Sequence, residues 1–460
     1  MATDTEAPQS EERKSSLLRT SLLLLPLQIV FRLGEAAMPL LLAAWFGRSR
    51  DTDFAMLALA ACALIGSLVF QSFQDSSLVP IMLEAKAKDP LGVPRLRGAL
   101  VVYNAILGLA LAGSLLGIGL LVTSLVDSGV SLGLASRMLP LLALQMVFLG
   151  QKSFFLTMMH TERHFYATPV VSSLGVITNL AVVFTLRDSW GVAAIAAGLA
   201  TGEAVALAGA IVAARFRYRI EIELNLERTE PLRRFSRLVT SEVGGSAITR
   251  MNPLADQFVA AFAGVVGGGT LLRYSNDVAT VPTSLVQAAL LPVLLSHLAQ
   301  IRHAGLGTVE SVQRFRSTVY KTLAVVLALL VAASFLLHFA RLPLLQAAFL
   351  RGAMDSAGVE RMARILPYHL VGLAPFGALL VLGRAHVALQ NSTIFVRLGL
   401  FNATANLALN AVLVKPLGLE GIALATSITH TAVAVVFAVL LRKKLHALLP
   451  TASRPEALLS

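Results

Sequence analysis

Cysteine is almost missing from this chain: Cys62 stands alone among 460 residues. A single thiol excludes an intrachain disulfide and any cysteine-built metal centre. Charge is scarce as well. Asp, Glu, Lys and Arg make up 14%, where a soluble domain carries about 25%. The sequence holds no phosphate-cradling P-loop, no Gly-x-Ser-x-Gly elbow and no His/Glu set with zinc-ligand spacing. An enzyme is therefore not expected, and neither is a catalytic residue, a metal ligand or a cofactor. Asp51-Thr52-Asp53 has the spacing of a metal–nucleotide-sugar site. Three residues match by chance, and no sizeable extramembrane part accompanies them. Long polar stretches are lacking too: the longest, 215–237, is too short to bury a core of its own.

What the chain has is apolar length. Hydrophobic residues reach 56% and gather into twelve stretches. The first six are 17–46, 54–84, 98–126, 132–158, 165–186 and 190–214. The second six are 236–263, 270–299, 319–342, 362–390, 394–414 and 418–441. A helix crosses a bilayer in about 20 residues, and a helix satisfies its own backbone in lipid. The expected fold class is all-α, a polytopic membrane protein of about twelve transmembrane helices in two six-helix, pseudo-symmetric bundles. The expected domains are a disordered cytoplasmic N-terminus at 1–16, a bundle at 17–214, a cytoplasmic linker at 215–235, a second bundle at 236–446 and a flexible tail at 447–460. The first apolar stretch exceeds a secretory h-region and follows an acidic start, so no cleavable signal is expected.

Lys and Arg crowd one set of connections: Arg13 and Lys14; Lys86, Lys88, Arg95 and Arg97; Arg215 through Arg237; Arg302, Arg314 and Arg316; Arg442, Lys443 and Lys444. Both termini are accordingly expected in the cytoplasm. The other side is sparser, with Arg48, Arg50, Arg187 and Lys415, while Arg341 and Arg351 run against the trend. The net charge of +12 follows from these flanking cations and their attraction to anionic lipid. No nucleic-acid partner is expected.

The two halves echo each other. Leu78-Val79-Pro80-Ile81-Met82-Leu83 ends the second span, and Leu290-Leu291-Pro292-Val293-Leu294-Leu295 the eighth. Asn179-Leu180-Ala181 in span five is matched by Asn406-Leu407-Ala408 in span eleven. Paired repeats are how transporters build a central site. Proline also falls at membrane depth, as at Pro140, Pro282, Pro292, Pro367 and Pro375, where it removes a backbone bond and kinks a helix. Hinging and ordinary packing both fit these positions.

Ionisable residues inside spans are the sharpest signal, since each costs about 2.5–3.5 kcal/mol at the bilayer centre on insertion scales. They are Arg32 and Glu35 in span one, Asp75 in span two, Glu242, Arg250 and Asp256 in span seven, and Arg273 and Asp277 in span eight. These eight are the candidate cavity residues: the arginines suit an anionic headgroup, and the carboxylates pair with them or take up ions. Structural pairing of Arg32 with Glu35 and of Arg273 with Asp277 stands beside that reading, because both spacings share a helix face. Lys152, His386 and Arg397 read as interfacial, and Glu203 and His430 as lone polar residues in packing.

Several ordered stretches resemble one family. Phe349-Leu350-Arg351-Gly352-Ala353-Met354-Asp355, with the amphipathic run to Arg364, is similar to the Phe-Gly-Arg-Gly-Ala-Phe-Asp segment of the MurJ/MviN lipid II flippases. Their superfamily includes polysaccharide and multidrug exporters. Leu389-Gln390-Asn391-Ser392 and Val396-Arg397-Leu398-Gly399-Leu400 resemble its Leu-Gly-Asp-Thr and Val-Arg-Ile-Gly-Leu. Phe46-Gly47 to Thr52-Asp53 resembles its first external turn, and Asn252, Asp256, Tyr274-Ser275-Asn276 and Val281-Pro282 resemble its spans seven and eight. The resemblance covers most of the chain. It departs where the family carries cavity arginines thought to grip pyrophosphate: those positions fall here on Met38-Pro39, Gly66-Ser67 and Asn276-Asp277. The family also typically has two further C-terminal spans.

The resemblance implies a flippase that moves a polyprenyl-pyrophosphate-linked saccharide, lipid II or a surface-polysaccharide unit, to the outer leaflet of a bacterial inner membrane by alternating access. Its partners would be that lipid-linked glycan, the bilayer and glycan-synthesis membrane proteins. Transport would draw on the membrane potential, a proton or a sodium ion. A cation-coupled multidrug exporter and a non-transporting scaffold in an envelope-building complex are the alternatives.

Overall fold

The computed structural model describes residues 34, 37–71, 78–125, 132–162, 164, 167–237, 251–261, 263–306, 308–389, 391 and 393–449. They form helices and connections. In chain order these are α1 Ala37–Phe46, α2 Arg50–Ile65, α3 Val79–Lys88, α4 Val93–Leu125, α5 Leu132–Thr161, α6 Ala167–Trp190, α7 Ala193–Val212 and α8 at 230–237. After them come α9 Asn252–Ala261, α10 Gly268–Ala289, α11 Leu291–His303, α12 Val309–Phe349, α13 Ser356–Val371, α14 Leu373–Ala388, α15 Thr393–Leu417 and α16 Leu419–Ala447. Among the described residues eight helices are long and apolar enough to cross a membrane, and the bent pair α13–α14 makes a ninth. Of the first apolar stretch, 17–46, only residues 34 and 37–46 are described, and about half of the seventh lies outside the described residues.

Among the described residues two expected spans are broken. The stretch 270–299 becomes α10 and α11, parted at Leu290 just before a proline in the first turn of α11, where the missing N–H costs least. The stretch 362–390 becomes α13 and α14, bent by 40° about Gly372. A Cβ on Gly372 would lie 2.5 Å from the Ser427 hydroxyl of α16. Glycine therefore sets how near α16 comes.

The chain forms two compact units, Met1–Leu42 with Ala61–Glu242, and Ala43–Ala60 with Val243–Ser460. In the first, α7 packs on α5 and α6, and α5 on α4. Lipid tails are as apolar as leucine, so close backbone approach rather than apolar burial holds such helices together. Gly198 and Gly202, four apart on α7, supply it: Cβ atoms there would sit 2.4 Å from Oδ1 of Asn179 and 2.6 Å from the carbonyl of Gly175. The segment expected to be a linker is laid against this unit. Glu223 N–H donates to the Pro94 carbonyl, Tyr103 Oη to that of Leu226, and Ile220 and Leu232 are buried.

In the second unit α16 packs on α13, α14 and α15, and α12 on α13 and α14. Two helix starts carry side-chain caps. Thr308 and Ser311 form a reciprocal capping box on α12, and the Asp355 carboxylate accepts from Gly358 N–H at the start of α13.

Candidate functional site

Asp256 anchors the most developed polar site in the second unit. It sits on the short helix α9, which packs against α15 and α16. Asn406 and Asn410, four apart on α15 and wholly buried, donate through Nδ2 to its Oδ1 at 2.8 and 2.7 Å. Thr426 of α16 donates its hydroxyl to Oδ2 at 2.9 Å and lies 3.3 Å from Oδ1 of Asn406. Three neutral donors thus hold one carboxylate, and no lysine or arginine pairs with it among the described residues. A hydrogen bond to a charged group stabilises by roughly 1.5–3 kcal/mol, which offsets only part of the cost of withdrawing an ion from water. Oδ1 of Asn410 is buried with no hydrogen-bond partner. The cluster therefore gathers carboxylate, amide and hydroxyl oxygens, one of them unused, around a single negative charge.

Arg273 and Asp277 pair with each other. Nε of Arg273 donates to both carboxylate oxygens, at 2.9 and 3.1 Å, across one turn of α10. Their side chains stay 39% and 25% exposed, so the pair is accessible rather than sealed. Beside it Tyr274 is buried against Phe349, and the Ser275 hydroxyl donates to the Met362 carbonyl, fixing α10 to α13. Arg32, Glu35, Asp75, Glu242 and Arg250 lie outside the described residues.

Sequence reasoning missed three arrangements. Lys152 of α5 pairs with Glu203 of α7 at 2.5 Å, with side chains 12% and 20% exposed. Glu203 is therefore not a lone residue. Their separation in sequence hid the pair, which only α5–α7 packing creates. His386 is fully buried rather than interfacial, its Nε2 paired with the Phe437 carbonyl and its Nδ1 near Asn391. Asp53, of the Asp51-Thr52-Asp53 triplet, is a clamp: its Oδ1 accepts from Thr270 N–H and Oγ1 at 2.8 and 3.0 Å. Those groups open α10, just after Gly267 at φ 76°. His430 stacks on Phe376 at 4.9 Å, as packing requires.

One end of the first unit carries a layer of ion pairs. Glu162 receives Lys86 and Arg97 at 2.6 and 2.5 Å, and Glu84 receives Lys88 and Arg234, both at 2.7 Å. Partial burial pushes the Glu162 carboxyl up. The Lys86 hydrogen bond and the Arg97 charge outweigh that and hold it below the usual carboxylate range. The cations expected to set topology are thus partly neutralised by acids.

Broken helices, glycine-tight packing and ionised groups inside apolar bundles define a multi-pass, all-helical membrane protein of the transporter class. A family model described as "Lipid II flippase MurJ" matches residues 42–455. A probable lipid II flippase MurJ of Treponema pallidum is 23% identical over 430 residues, covering 90% of this chain and 80% of that protein. One from Vibrio cholerae is 28% identical over 185 residues, 40% of this chain but only 34% of that protein. Among solved structures, a lipid II flippase MurJ in an inward closed conformation superposes with a TM-score of 0.75 at 18% identity, covering 92% of this chain and 87% of that one. An inward-facing multidrug-resistance MATE transporter gives 0.68 at 16%, covering 92% and 95%. These two likenesses concern the fold. The chain belongs to the MurJ lipid II flippase family.

Proposed function

We propose that this protein moves a polyprenyl-pyrophosphate-linked saccharide, lipid II or a surface-polysaccharide unit, from the inner to the outer leaflet of a bacterial cytoplasmic membrane by alternating access. Both termini lie in the cytoplasm, and glycan-synthesis membrane proteins are its neighbours. Arg32, Arg250 and Arg273 meet the pyrophosphate, while Glu35, Asp75, Glu242 and Asp277 balance or relay charge. An inside-negative potential favours outward movement of an anion by about 2.3 kcal/mol per charge per 100 mV.

The observation that carries the coupling is Asp256 with its neutral ring of Asn406, Asn410 and Thr426. The amides and the hydroxyl now turn N–H and O–H toward the carboxylate; turned to present their oxygens beside it, they would suit a small hard cation such as sodium. The unused Oδ1 of Asn410 fits that role. When bound, the cation supplies the positive charge that the cluster lacks, and Asp256 with the two amides positions α9 against α15 and α16. A proton would serve the same carboxylate.

Expression in a strain depleted of its own lipid II flippase tests the reading. The wild-type chain should restore growth, and Asp256→Asn at equal expression should not. Rescue of an exopolysaccharide-export defect instead would assign the substrate to surface polysaccharide. Rescue of neither by well-expressed wild-type protein rejects flipping.

A further inference from the structure

Arg341 breaks the charge rule that places the other cations. It lies on the side expected to be poor in lysine and arginine, yet within a span, so positive-inside topology gives it no role. The structure sets it opposite a second arginine. Arg341 stands eight residues before the end of α12 at Phe349, and Arg364 eight residues after the start of α13 at Ser356. The two helices pack together. At 1.5 Å per residue the backbone of each arginine lies about 12 Å from the helix end at the connecting turn, and a long arginine side chain can snorkel from such a depth toward a headgroup layer.

Between them lies a pocket of about 590 Å³, lined among others by Phe339, Arg341, Glu360, Arg364, Pro367 and Tyr368. That volume falls in the range of about 300–1,000 Å³ typical of small-ligand sites. One N–H of Arg341 is spent on the His338 carbonyl, which ties the side chain to its own helix. Two guanidinium groups and one carboxylate give the lining a net charge of 2 − 1 = +1.

The pocket opens beside an unusually bare helix. Only 11% of the most apolar window of α12 is buried within the protein. Phe335, Leu336 and Phe339 are 61%, 70% and 77% exposed. In a membrane span such a surface meets acyl chains.

We propose that this pocket binds the phosphate headgroup of an anionic membrane phospholipid, with its acyl chains along Phe335, Leu336 and Phe339. Arginine's planar fork matches phosphate oxygens two at a time. A phosphodiester carries one negative charge, which balances the +1 of the lining. A pyrophosphate carries more, and the Glu360 carboxylate on the rim would repel the excess. The site is independent of Asp256 and of the proposed transport route, so it stands or falls separately from them.

The test uses the full chain, delipidated in neutral detergent, with thermal unfolding and native mass spectrometry as readouts. Phosphatidylglycerol should raise the midpoint and stay bound, while phosphatidylcholine and inorganic phosphate should do neither. Arg341→Gln and Arg364→Gln should each weaken phosphatidylglycerol about five-fold, from ~1 kcal/mol per arginine near a membrane surface. Arg351→Gln, an exposed cation of the same end outside the pocket, should change nothing. Glu360→Gln, which removes the opposing charge and poses no folding risk, should tighten binding. Equal binding of phosphatidylcholine, full stabilisation by phosphate alone, or a Glu360→Gln variant that binds no better would each overturn the proposal.

Discussion

Arg48 grips Asp355 with two hydrogen bonds, Nε to Oδ1 and Nη2 to Oδ2, each 2.9 Å long. The two residues are 307 positions apart, and both belong to stretches that resemble the flippase family. Around them the backbones interlock within one unit. Ala353 N–H donates to the Ala44 carbonyl at 2.7 Å, and Gly267 lies against Arg48. Family-like sequence here records a joint between α1, α2 and the start of α13 rather than a chemical site.

Asp355 does two jobs in that joint, since its Oδ1 also accepts from Gly358 N–H at 3.0 Å. Asp355→Ala should cost about 1 kcal/mol for the lost cap and less than ~1 kcal/mol for the half-exposed pair. Asp355→Asn keeps an oxygen for the cap and should lose only the ionic part. The Arg48 hydrogen bond holds the Asp355 carboxyl below its ordinary range, with partial desolvation opposing it. The stabilisation is therefore complete above the unfolded value near ~4, and it drains as pH falls through the lower folded value. Unfolding midpoints of wild type and Asp355→Asn should converge in acid and part toward neutral pH.

Glycine at 47 and 352 is required for a different reason. Both adopt positive φ, 58° and 61°, and a Cβ would stand 2.3 Å from the Ala353 carbonyl and 2.1 Å from that of Ala44. Gly352→Ala should cost at least ~1–2 kcal/mol from the left-handed backbone alone, with the clash added. Thermal unfolding in detergent should show a lower midpoint than for Gly191→Ala. Gly191 shares the left-handed backbone, at φ 55°, but has open space, so equal losses would refute the steric part.

How much of this was legible in the sequence depends on distance along the chain. Helices were legible because apolar length is a local property. So was the Arg273–Asp277 pair, because one turn of helix brings those residues together. Asn406 and Asn410 left a readable trace, two amides four apart in an apolar run and thus on one face. Only Asn406 drew notice, as part of a repeat. Lys152 and Glu203 left none, since each looks solitary until α5 and α7 are packed. Asp53 left no trace of its role either: its spacing from Asp51 reads as a chance match, while its partner is a helix start more than two hundred residues away.

The Lys152–Glu203 pair should betray itself in a double-mutant cycle. Removing one partner of a largely buried pair leaves an uncompensated charge and costs about 3–5 kcal/mol. Lys152→Met or Glu203→Gln alone should therefore lower stability or yield sharply. The double variant should recover most of the loss, because neither charge remains. Additive losses would show that the two charges do not interact.

Asn410→Asp offers the most discriminating check on the Asp256 cluster. The change is nearly isosteric and places a second carboxylate at the position that now donates to Asp256 Oδ1 at 2.7 Å. Without a cation, two like charges at that distance cannot both stay ionised at ordinary cost, so the variant should unfold at a lower temperature in choline buffer. If the cluster takes sodium, the added charge strengthens the site. Stability should then return with sodium, by about 2.7 kcal/mol at a concentration one hundred times the dissociation constant. Wild type should show the same response more weakly, and Asp256→Asn none. A loss in Asn410→Asp that sodium and choline leave unchanged would reduce the cluster to a structural tie between α9, α15 and α16.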